Sequence, residues 1–140
     1  MKKIILLMTV ASLLLFTRCQ DEVFYTMYSF GANQFSNSNL PGMIDPEKDK
    51  ACEKMAAYLI SHGYVNQGLI IEGVDEKVND KKALDHFNVK LKALQATDLS
   101  EVLKGEDGAP ATVSFEYKIL KGQYNKSLMA THNFAVPYVK

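Results

Sequence analysis

The clearest pattern in the chain is an alternation near its end. Val113, Phe115, Tyr117 and Ile119 are apolar, and Ser114, Glu116 and Lys118 between them are polar. A period of two predicts a strand with one buried face. Residues 122–126 turn the chain, and Leu128, Ala130, His132, Phe134, Val136 and Tyr138 alternate again in a return strand. Pro137 near its end fits an edge strand, where a missing N–H is tolerated. Residues 22–30 are rich in aromatic and β-branched side chains on both alternating positions, which predicts a first strand covered on both sides. The polar stretch 31–44, with Asn33, Ser36, Asn37, Ser38, Asn39, Pro41 and Gly42, reads as a long loop.

Between these ends the period changes to that of helices. Cys52, Met55, Ala56 and Leu59 recur at i, i+3, i+4 and i+7 and form one apolar stripe. Asp45 suits the cap and Pro46 the first turn of a helix over 45–62, with Gly63 as its stop. Residues 68–74 form a short strand, with Tyr64 as its earliest start. A second helix begins at Asn79 or Asp80 and runs to about Ala96, striped by Leu84, Phe87, Leu91 and Leu94. Asp98 with Glu101 three residues on suggests one more capped turn, ended by Gly105, before a loop over 106–110. The order is β-α-β-α-β-β. Right-handed crossovers favour parallel first connections and a hairpin for the last pair. The expected fold is α+β: a two-layer sandwich with a mixed sheet of about four strands and helices mainly on one face.

Composition narrows the class. The chain has 140 residues, 47% hydrophobic and 23% charged, the fractions of one globular domain. Sixteen basic residues balance sixteen acidic ones, which disfavours a protein built to neutralise nucleic-acid phosphates. Two cysteines make no disulfide scaffold.

The first residues suggest where the protein resides. Lys2 and Lys3 precede an uncharged, mostly apolar run from Ile4 to Phe16. A helix of that length, about 20 Å, falls short of a bilayer core of about 30 Å, and the run reads as the hydrophobic part of a signal peptide. Thr17 and Arg18 then lead into Cys19. This segment, residues 1–19, resembles the signal peptide and lipobox of bacterial lipoproteins. Thr17 fits the position two before the cysteine, while Arg18 stands where that family usually carries Gly, Ala or Ser. The resemblance implies removal of residues 1–18, lipidation of Cys19, a short linker over 19–22 and a domain over 23–140. Gln20 beside the cysteine resembles an outer-membrane destination, and Asp21 and Glu22 resemble surface-export patterns. Removing residues 1–18 takes away three basic residues and no acidic ones, leaving a slight acidic excess.

Candidate chemistry is sparse. Cys52 lies on the first helix stripe and reads as a small core hydrophobe. His62 sits in the last turn of that helix, and His86 lies beside the second stripe. His132 is the odd residue on the apolar face of the last strand, readable as a pocket base or as a hydrogen-bonded edge histidine. Glu72 and Glu116 are carboxylates on strands. No metal-ligand spacing, nucleophile motif or phosphate loop is present, so no catalytic residue, metal or cofactor is assigned. Five tyrosines map to strands or their turn and could stack on a sugar or grip a protein. The candidate binding residues are Phe35, Asn37 and Asn39 of the long loop, with Tyr117, His132 and Tyr138 of the hairpin. The expectation is a non-enzymatic envelope lipoprotein, held to the membrane at Cys19, that binds a protein or glycan partner. The alternative is a small envelope hydrolase using His132 with a nearby Glu or Tyr.

Intact-mass analysis of membrane-fraction protein should show a chain beginning at Cys19 with added acyl mass. A soluble chain beginning elsewhere refutes the anchor.

Overall fold

The alternating segments at the end of the sequence become the most extensively paired part of the structure. The computed structural model describes residues 23–39, 49–105 and 110–138. They form β1 (Phe24–Asn37), α1 (Lys50–Ser61), β2 (Gln67–Gly73), α2 (Glu76–Gln95), a short 3-10 turn (Leu99–Leu103), β3 (Ala111–Lys121) and β4 (Ser127–Tyr138). The fold is α+β, with two helices and one four-stranded antiparallel sheet of order β2-β1-β3-β4. Pro137 lies on the edge strand β4, as its missing donor requires.

The expected parallel first connection does not form. β1 is 14 residues long, about 47 Å at strand rise, whereas α1 has 12 residues and rises about 18 Å. The helix therefore brings the chain back only to the middle of β1. There the Ala32 N–H donates to the Tyr64 carbonyl at 2.7 Å, and Gln67 opens β2 opposite Phe30. From that point β2 runs antiparallel along the first half of β1, ending with Gly73 opposite Phe24. Gly63 and Asn66 take positive φ in this reversal. Gly31 permits it: a Cβ there would lie 2.9 Å from the Asn66 nitrogen and 3.2 Å from the Val65 Cα.

β1 also continues where a loop was expected. Residues 31–37 remain strand, paired to β3 through a register shift between Asn33 and Ser36, with Gln34 at φ 55°. Such a bulge inserts one residue and resets the alternation. Before it Tyr28, Phe30 and Ala32 are buried; after it the buried positions are Phe35 and Asn37. The rest of the expected loop, residues 40–44, lies outside the described residues, as do Asp45 and Pro46. The cap of α1 is instead Asp49, whose carboxylate accepts from the Cys52 N–H at 3.0 Å. α2 starts earlier than its apolar stripe because Asp75 caps it, accepting from the Lys77 N–H at 2.9 Å.

The core joins both helices to one set of alternating strand positions. Cys52, Met55 and Leu59 of α1, Ala83, Phe87 and Leu94 of α2, and Val113, Phe115, Tyr117 and Ile119 of β3 are buried together. Burying a side chain of this size contributes about 1.5–3 kcal/mol. Burial pushes the Cys52 thiol up to about 12, with the nearby Asp49 carboxylate adding to the shift, so the sulfur stays protonated and inert.

Gly31→Ala should cost about 1–3 kcal/mol in a urea melt, because the backbone of Val65 and Asn66 must move. Gly68→Ala, with open space at its Cβ, should stay within about 0.5 kcal/mol. Equal effects at the two positions would refute the close approach.

Candidate functional site

The structure disperses the residues that the sequence singled out. Phe35 is buried against Phe115, ring centroids 5.6 Å apart, and does not face solvent. Tyr117 is fully buried, stacked on Phe87 at 5.0 Å and set edge-on to Tyr64 at 5.9 Å. Its cross-strand partners are Ala32, small enough to admit the ring, and His132. Burial and the neighbouring Tyr64 push the Tyr117 hydroxyl well above its usual range.

Asn37, Asn39 and Tyr138 are brought together, and they do structural work. The buried Asn37 amide donates to Asp49 Oδ2 at 3.1 Å and to Tyr138 Oη at 3.4 Å, and its Oδ1 accepts from the Asn39 N–H at 3.0 Å. The end of β1, the start of α1 and the end of β4 are thereby tied. Burial pushes the Asp49 carboxyl up, but the bonds from Cys52 and Asn37 outweigh it and hold the group below the usual carboxylate range. Cys19 lies outside the described residues.

His132 is half-buried on β4, edge-on to Phe134 at 4.8 Å and with Nε2 3.4 Å from the Gln95 amide. The carboxylates proposed for it lie elsewhere. Glu116 pairs with Asn133, so it points to the opposite face of the sheet, and Glu72 is on β2, at the far edge. Among the described residues, no cluster of His, Cys, Asp and Glu could hold a metal ion.

Two polar features emerge that the sequence reading missed. The first is a groove of about 440 Å³ on the sheet face opposite the core residues, lined by Ser29, Gly31 and Asn33 of β1, Asn66 before β2, and Lys118 and Lys126. Ser29 Oγ and Asn33 Oδ1 are buried and have no hydrogen-bond partner. Buried polar atoms are normally paired; these two lie together in one groove, whereas the other unpartnered buried atoms among the described residues, Asn79 Oδ1 and Tyr117 Oη, lie among core residues. Lys118 adds a cation, 3.7 Å from Glu116. The signal was present but masked: residues 29, 31 and 33 are polar or small in phase opposite to Tyr28, Phe30 and Ala32.

The second feature is a cluster joining β1, α2 and β3. Tyr28 Oη donates to Asp80 Oδ1 at 2.6 Å, and Lys121 Nζ donates to Asp80 Oδ2 at 2.8 Å and pairs with Glu76 Oε1 at 2.6 Å. Burial, with the Asp80 bond adding to it, pushes the Tyr28 hydroxyl up to about 12. Burial raises Asp80 too, but the bonds from Lys121 and Tyr28 and the Lys121 charge win, leaving it below its usual value. The cluster is a pin between a helix and two strands, with every member matched to a partner.

Comparison of the chain with protein-family models, with curated proteins and with solved structures found no match. Among the described residues no helix is long and apolar enough to cross a membrane.

Asp80→Asn should destabilise the fold by about 1–2 kcal/mol, since it weakens two charge-assisted bonds at once. The lowered Asp80 value sets the sign with pH. Its contribution is fully present above the unfolded-chain value near 3.8 and is lost as pH falls through the folded value. Urea melts between pH 6 and pH 2 should therefore converge for the two proteins in acid, and a constant gap would refute the role assigned to the carboxylate.

Proposed function

We propose that the protein is a non-enzymatic lipoprotein of the bacterial cell envelope, anchored in the outer membrane at Cys19, that binds a glycan in the groove on its sheet. In this reading the domain is a two-layer module. Both helices cover one face of the sheet, and the other face is left for a ligand. The observation that carries it is the pair of unpartnered acceptors, Ser29 Oγ and Asn33 Oδ1, in a groove that also holds Asn66, Lys118 and Lys126. Sugar hydroxyls and acetamido N–H groups are donors that would satisfy such acceptors, and the amide of Asn66 and the ammonium groups can donate in return. Hydroxyl-rich ligands suit a groove whose polar groups fix orientation. The leader resemblance supports the envelope location, since it places the domain where glycans are abundant.

The detergent-solubilised, lipidated protein should retain a defined set of envelope oligosaccharides on an immobilised array. In the double variant Ser29→Ala, Asn33→Ala that binding should fall at least tenfold. Its melting temperature should hold or rise, because deleting an unsatisfied buried polar group is close to neutral or stabilising. Binding that survives the double substitution would move the site elsewhere. Capture of an envelope protein with no glycan retained would replace the glycan with a protein partner.

A further inference from the structure

The apolar side chains left outside the core are not scattered. Among the described residues, every large exposed hydrophobic except Ile60 and Val89 lies toward the end of the domain at which β1 begins. Val23, Phe24 and Tyr25 open that strand, and Tyr25 is 68% exposed. Phe24 pairs with Gly73, so Val74, 62% exposed, follows directly beside it, and Val78 projects from the first turn of α2. Met27 pairs with Ile70 on the open face. The antiparallel register brings the β3–β4 turn to the same end. Lys121 pairs with Tyr28, the Gly122 N–H donates to the Met27 carbonyl at 2.8 Å, and Tyr124, 87% exposed, stands at the tip. Single exposed apolar residues are ordinary, but a group drawn from β1, β2, α2 and a turn marks an interaction surface.

The covalent chain says what covers it. Val23 follows Cys19 by four positions, and a fully extended chain of that length spans about 14 Å. A domain held that close to acyl chains meets lipid continuously, so even a weak apolar affinity is satisfied by the bilayer before a diffusing partner arrives. Several polar groups at this end are paired with one another, while Glu72 and Lys77 stay exposed to water. Asp75 caps α2, and Glu76 and Asp80 share Lys121, so approach to the headgroups leaves no isolated charge among these groups.

We propose that the end of the domain carrying Val23, Phe24, Tyr25, Val74, Val78 and Tyr124 is a membrane-docking surface, seated in the headgroup region of the bilayer to which Cys19 is anchored. The inference rests on the lipoprotein reading given above. Seating of this kind places aromatic and aliphatic side chains at the interface, with the polar backbone still near water.

The chain contains no tryptophan, so one can be introduced as a depth probe. Full-length protein carrying Val74→Trp, and separately Val89→Trp on the outer side of α2, is purified from membranes, and acylation at Cys19 is confirmed by intact mass. Each protein is reconstituted into phosphatidylethanolamine–phosphatidylglycerol vesicles containing brominated lipid. Docking predicts quenching at least threefold stronger for Val74→Trp than for Val89→Trp, with blue-shifted emission only when vesicles are present. Equal, weak quenching in acylated protein overturns the docking surface and leaves the anchor intact. Blue-shifted Val74→Trp emission in dilute detergent, with self-association and no quenching in vesicles, assigns the surface to a second copy of the chain and also overturns it. Absence of the acyl mass removes the anchor and the docking surface with it.

Discussion

The architecture turns on the close approach of residues 64–66 to Gly31. One missing Cβ lets the chain leaving α1 lie against the middle of β1, and the Ala32–Tyr64 hydrogen bond fixes it there. Several consequences follow. β2 must begin opposite Phe30 and run antiparallel. The second half of β1 is then left to β3 alone, and β1 becomes a long central strand that serves two neighbours over different spans. Gly31 and Asn66 also form part of the wall of the polar groove. Topology and candidate site thus share one steric requirement.

What stabilises this frame is an aromatic column more than its ion pairs. Phe87 stacks on Tyr117, and Phe115 stacks on Phe134 and packs on Phe35. These contacts link α2, β1, β3 and β4 through groups removed from water. The surface pairs Lys81–Asp85 and Lys104–Glu101 are well exposed and contribute little. The polar ties that matter are partly buried and multiply bonded, as at Asn37 with Asp49 and Tyr138, and at Asp80 with Tyr28 and Lys121.

The hairpin and both helix stripes were legible because their periods are strict: Val113 to Ile119 and Cys52 to Leu59 admit few other readings. The second half of β1 was not legible. Its polar residues imitate a loop, and only a bulge with Gln34 in a left-handed conformation explains why Phe35 and Asn37 turn inward. Sequence pattern carries no mark for that inserted residue. The direction of β2 was also hidden, because it depends on how far α1 returns the chain along β1, a matter of lengths in three dimensions. Candidate site residues suffered from the same cause. Tyr117, Tyr138 and Phe35 were chosen for their chemistry, and burial claimed all three for the core. Ser29 and Asn33, marked by neither period nor motif, hold two of the buried polar atoms that the fold leaves unpaired among the described residues, the others being Asn79 Oδ1 and Tyr117 Oη in the core.

The uncovered surface divides by chemistry along β1. Tyr25 and Met27 belong to its apolar end, and Ser29, Gly31 and Asn33 to the polar groove, so the change falls within a few residues on one strand. A surface built only for docking on lipid has no need of buried acceptors, and one built only for a hydrophilic ligand has no need of a cluster of bare valines and aromatics. Their adjacency is coherent if the apolar end fixes orientation. Seated there, the domain would present the groove, with Lys118 and Lys126 in its lining, beyond the headgroups. A tether alone would let the domain tumble over a reach of about 14 Å. Tether and apolar end together would hold the groove at one height and one angle, which is what a module presenting a binding site from a membrane surface requires.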